Sequence, residues 1–90
     1  MVQMENNKLL EGLIMAKTTV MLATINDVKN FVTSVSKCDY DVDLISGRYA
    51  VDAKSIMGIF SLDLSKPIIL EAHTDDASDF FAEIKQFIVD

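Results

Sequence analysis

The spacing of apolar residues switches repeatedly between a helical and a strand period along this chain, and that alternation limits the fold more than any single motif. The segment Thr18-Thr19-Val20-Met21-Leu22-Ala23 is rich in strand formers and runs into a helix-start signal. There Thr24 stands as N-cap, with the acidic Asp27 three places on. Behind it Ile25, Val28, Phe31, Val32 and Val35 recur at helical spacing, which predicts an amphipathic helix to about Lys37. Val42 and Leu44 then alternate with Asp41 and Asp43, Ser46-Gly47 reads as a tight turn, and Tyr49, Val51 and Ala53 alternate beyond it. That pattern predicts a hairpin. Ser55 is placed to cap a short helix over 56–62, and Lys66-Pro67 breaks the chain before a strand over 68–73. Thr74 is expected to cap a final helix whose apolar stripe is Ala77, Phe80, Phe81, Ile84 and Ile88. The order strand, helix, strand, strand, helix, strand, helix predicts an α+β two-layer sandwich, a sheet with helices on one face.

Ninety residues allow one domain with a core of its own. Eight Lys and Arg stand against fourteen Asp and Glu, a net charge of -6. That balance argues against nucleic acid or an anionic membrane surface as the main partner, since both require clustered positive charge. One histidine and one cysteine, with no CxxC or HExxH spacing, leave no zinc site and no other metal or cofactor is expected. The three glycines are scattered singly, so there is no phosphate-cradling loop. No apolar run approaches the ~20 residues that span a bilayer, and a signal peptide is not expected. The lone Cys38 suggests a reducing, cytoplasmic setting and reads as a buried, inert thiol. The acidic residues after Leu62 read as a solvated face.

The short helix after Lys54 is too apolar for a two-turn element on a one-sided sheet. Ile59 and Leu62, three apart, can face the core together. Ile56 and Phe60, four apart, then turn to a flank with Met57 beside them, and an exposed cluster of this kind marks a partner surface. Ser55 stands at its edge. Its hydroxyl can serve as a plain N-cap, or it can carry a phosphate near Lys54, with Arg48 across the hairpin.

The run Asp52-Ala53-Lys54-Ser55-Ile56-Met57-Gly58-Ile59-Phe60-Ser61-Leu62 resembles the regulatory-serine segment of HPr, the small phosphocarrier of the bacterial phosphoenolpyruvate:sugar phosphotransferase system. The likeness extends back without a gap through Ser46-Gly47 to Val32-Thr33-Ser34-Val35-Ser36-Lys37, and more loosely forward through Asp75-Asp76. It covers roughly residues 18–89. It implies the HPr-like open-faced β-sandwich, βαββαβα, with an antiparallel four-stranded sheet. It also implies a kinase-type phosphorylation site at Ser55, and a docking surface at Ile56, Met57 and Phe60, flanked by Lys54. The partners it implies are proteins: an HPr kinase-like enzyme and regulatory or phosphotransferase-system proteins.

One departure bears on chemistry. The family's phosphorylated histidine opens the first helix in a His-Ala-Arg-Pro run, and counting back from Ser55 that position falls on Thr24, followed by Ile25, Asn26 and Asp27. The nucleophilic imidazole and the phosphate-clamping arginine are both missing there, and Asp27 would repel a phosphate. The only imidazole, His73, reads as a solvated strand residue on the same face as Glu71. The expectation is therefore a regulatory or interaction module, not an enzyme and not a histidine phosphocarrier. The alternatives are an active carrier with an atypical acceptor and an unphosphorylated scaffold. Met15-Ala16-Lys17-Thr18 resembles the start of an HPr-type chain, so the domain is expected to run 15–90. Residues 1–14 are then an extension whose Leu9, Leu10, Leu13 and Ile14 can pack on the domain or on a second copy in a homodimer.

Overall fold

The computed structural model describes residues 15–89; the expected extension over 1–14 lies outside the described residues. The chain forms strand β1 (Ala16–Val20), helix α1 (Ile25–Val35), strands β2 (Val42–Ser46) and β3 (Tyr49–Asp52), helix α2 (Ile56–Phe60), strand β4 (Ile68–Ala72) and helix α3 (Ser78–Glu83). A 3₁₀ turn (Lys85–Phe87) follows. The strands make one antiparallel sheet in the order β1-β4-β2-β3. This is the βαββαβα open-faced α+β sandwich read from the sequence.

Strand alternation explains why, among the described residues, only one face is covered. Ile68, Leu70 and Ala72 of β4 and Val42 and Leu44 of β2 are buried beneath the helices, together with Val20 of β1. The helices answer with Val28, Phe31 and Val35 from α1, Ile59 from α2 and Phe80 from α3. Phe31 meets Phe87 edge-on at a centroid distance of 6.0 Å. The intervening strand positions face the other way. Register aligns Lys17, Glu71, Asp43 and Asp52 in a charged row across all four strands. Within that row Lys17 Nζ lies 3.4 Å from Glu71 Oε2.

Four details differ from the sequence reading. The first strand is displaced towards the N-terminus and ends at Val20; the Met21 amide instead donates to the Phe87 carbonyl. Ile25, counted on the buried stripe of α1, is exposed, because the buried contacts start at Val28 and the first turn leaves the exposed Ala23-Thr24 loop. Helix α3 starts at Ser78 rather than behind a Thr74 cap. Thr74 and Asp76 fold into successive side-chain turns, with the Asp76 carboxylate accepting from the Ser78 amide and hydroxyl. Last, Ile88 leaves the helical stripe and bridges Val20, while the Val89 amide donates to the Thr19 carbonyl. Pairing along the free edge of β1 overrides the helical spacing, and Phe87 is buried in its place.

The β2–β3 turn depends on Gly47, whose φ of +63° lies in the left-handed region. A β-carbon there would meet nothing within 4 Å, so the cost of a side chain is conformational alone. Gly47→Ala is expected to lower stability by about 1 kcal/mol in urea unfolding, with an unchanged denaturant slope.

Candidate functional site

Thr24 caps α1 in a closed hydrogen-bonded ring. Its Oγ1 accepts from the Asp27 amide at 3.0 Å, and the Asp27 carboxylate accepts from the Thr24 amide at 3.2 Å and the Ala23 amide at 3.1 Å. Both arms of a capping box are thus present. The Ala23 and Thr24 amides at the helix start are thus engaged by a carboxylate of the same chain, whose charge an incoming anion would meet. Sequence reasoning foresaw the cap and the carboxylate; the added bond to Ala23 emerges only from the loop geometry.

Ser55 performs the equivalent task for α2. Its side chain is exposed, and its Oγ accepts from the Gly58 amide at 3.1 Å. Gly58 leaves room for this arrangement. A β-carbon at position 58 would lie 3.2 Å from Ser55 Oγ and 3.3 Å from Val51 Cβ, inside ordinary contact. The sequence reading counted Gly58 as one scattered glycine, and its role follows from the approach of β3 to α2.

The apolar residues over 56–62 divide as their spacing predicts except at Ile56, expected on the exposed flank. Ile59 and Leu62 are buried, Ile56 is half-buried against the core, and Phe60 and Met57 are exposed, 41% and 76%. Ile25 on α1 and Tyr49 on β3 are also exposed. Lys54 does not extend freely into solvent. Its ammonium donates to the Cys38 carbonyl at 3.0 Å in a half-buried position. The last turn of α1 carries no basic residue of its own, so Lys54 brings positive charge to the chain leaving that helix.

Cys38 departs from its expected setting, whereas His73 is exposed as expected and gains a partner. Cys38 is half-buried rather than enclosed and lies on a cavity of about 200 Å³ with Ser34, Lys37, Tyr40, Phe80 and Glu83. Burial there, together with a hydrogen bond involving Cys38, pushes the Tyr40 phenol well above its usual range. His73 is paired: its Nε2 lies 2.9 Å from Asp43 Oδ2 across the open face. That partner stands on β2, thirty residues away in sequence, and becomes visible only through register. Among the described residues no group of three or more His, Cys, Asp or Glu could hold a metal, and no helix is long and apolar enough to cross a membrane.

The site is therefore a pair of capped helix starts on a one-sided α+β sandwich, with exposed apolar side chains on the second helix. Residues 26–90 match the family described as PTS HPr component phosphorylation site. The fold is similar to the crystal structure of HPr-C-His from Thermoanaerobacter tengcongensis, at 26% identity and a TM-score of 0.67, covering 79% of this chain and 88% of that one. It is also similar in fold to the phosphocarrier protein HPr of Bacillus anthracis strain Ames, at 21% identity and a TM-score of 0.64, covering 83% and 98%. No curated protein sequence matches the chain. The chain belongs to the HPr family of the phosphotransferase system. The family match begins just after Thr24 and takes in Ser55 and all of α2.

Away from these caps, hydrogen bonds from Lys37 and then Ser34 hold the Glu83 carboxyl below its ordinary 4.5. A depressed folded-state pKa means that its contribution is present above pH 4.5 and is lost as pH falls through the folded value. Stability measured by urea unfolding from pH 6 to pH 3 is expected to fall less steeply in Glu83→Gln than in the parent, with the curves converging at the acid end.

Proposed function

We propose that this HPr-family chain is a regulatory and interaction module, phosphorylated on Ser55 and without histidine phosphocarrier activity. The observation that carries this reading is the capping box at Thr24. By resemblance, this is the position of the family's phosphorylated histidine, and here it holds a hydroxyl inside a ring closed by Asp27. A threonine ester is a poorer phosphoryl donor than a phosphoimidazole, and the Asp27 carboxylate repels a second anion. His73, the one imidazole in the sequence, directly follows β4 and is paired with Asp43.

Ser55 supports the other half of the reading. Its hydroxyl is exposed, lies in a Lys-Ser-Ile-Met-Gly run, and is followed by Ile56, Met57 and Phe60 as the docking side chains, with Lys54 preceding. In the step proposed, Ser55 Oγ attacks the γ-phosphorus of ATP, the bond to the β–γ bridging oxygen breaks, and ADP leaves as the hydroxyl proton is released. The added dianion beside the apolar residues changes which surface a partner meets. The partners are proteins of the phosphotransferase system or its regulation and a kinase of the HPr kinase type, in the cytoplasm. The domain is taken to run 15–90, with residues 1–14 an extension to it.

Incubation with a bacterial HPr kinase and ATP, followed by mass-spectrometric mapping, is expected to give one phosphate on Ser55 and none in Ser55→Ala. Phosphoenolpyruvate and the upstream transfer enzyme are expected to leave the protein without acid-labile phosphate. A phosphate that arrives by the second route would establish carrier chemistry and overturn the proposal.

A further inference from the structure

Lys54 joins two parts of the molecule that the sequence keeps apart. Its backbone immediately precedes Ser55, and its ammonium donates to the Cys38 carbonyl, sixteen residues earlier, just past the end of α1. The loop it holds is packed on its far side as well. Tyr40 meets Phe80 edge-on at 6.4 Å, and Cys38 and Tyr40 line the cavity of about 200 Å³ against α3. The bond runs from a cation to a neutral carbonyl in a half-buried position, and a phosphate dianion is the stronger acceptor for the same ammonium.

The geometry points to Lys54 as a relay: a phosphate on Ser55 draws the ammonium from the Cys38 carbonyl and loosens the loop around Cys38 and Tyr40. This rests on the reading of Ser55 as a phosphorylation site. It differs from that reading in its outcome, because the change appears at the end of α1 and beside α3 rather than on the docking residues of α2.

The chain has one cysteine, so thiol labelling reports on position 38 alone. Electrostatics makes the sign of the result decisive. With a negatively charged reagent, removing a nearby cation or adding a phosphate lowers the local reagent concentration and slows labelling, so acceleration can arise only from opening of the loop. The probe is a negatively charged aromatic disulfide reagent at fixed pH. Lys54→Gln is expected to raise the labelling rate about fivefold or more, the scale set by losing a charge-assisted hydrogen bond, while Lys54→Arg stays near the parent rate. Phosphoserine incorporated during translation at position 55 is expected to accelerate labelling in the parent and to add nothing in Lys54→Gln. An unchanged or slower rate in folded Lys54→Gln would overturn the relay, as would acceleration by phosphoserine that persists without Lys54. Failure of the kinase to modify Ser55 would strike the functional reading alone, because the incorporated phosphoserine still tests the relay.

Discussion

Everything in this molecule depends on a sheet that, among the described residues, is covered by helices on one side only. Val42, Leu44, Ile68, Leu70 and Ala72 point one way from the two central strands and are buried, whereas Asp43, Glu71 and the exposed Ile69 point the other. Burial of the first set at ~25 cal/mol per Å² is the largest favourable contribution available to so small a chain. It requires Val28, Phe31, Val35, Ile59, Phe80 and Phe87 to gather over the same face. Once they do, the starts of α1 and α2 must emerge from the edge of that layer, and Thr24 and Ser55 become surface residues by construction.

Both caps solve the same problem with different chemistry. A helix start leaves backbone donors without partners, and each is met by a side-chain hydroxyl three residues upstream of the amide it receives. At Thr24 a carboxylate returns the bond and completes the ring; at Ser55 the third residue on is Gly58, which returns nothing. The first cap therefore carries its own anion and the second does not. That asymmetry, more than the presence of either hydroxyl, separates the two positions chemically.

Much of this was legible in the residues. Element order, the hairpin turn, both caps and the division of α2 between Ile59 and Met57 follow from periods of 2 and 3.6 and from capping chemistry, which are local. What was not legible is long-range. The Asp43–His73 pair, the Lys54–Cys38 bond and the Ile88–Val20 bridge join residues at least sixteen apart, and none of their partners leaves a mark in nearby spacing. The end of the chain shows the limit clearly. Ile88 lies on a helical stripe by spacing, yet the open edge of β1 offers it backbone partners, and only the assembled sheet creates that edge.

The ring at Thr24 also limits what one substitution can do. An imidazole placed there would lack the hydroxyl that accepts from the Asp27 amide, so the first turn of α1 would loosen at the moment it gained a nucleophile. The Asp27 carboxylate would remain on the amides of Ala23 and Thr24, in competition with any phosphoryl group. A single change thus gives a weaker helix and an obstructed acceptor together. Between this scaffold and a histidine carrier lie at least two coupled positions, and one change alone loosens the helix while leaving the acceptor obstructed.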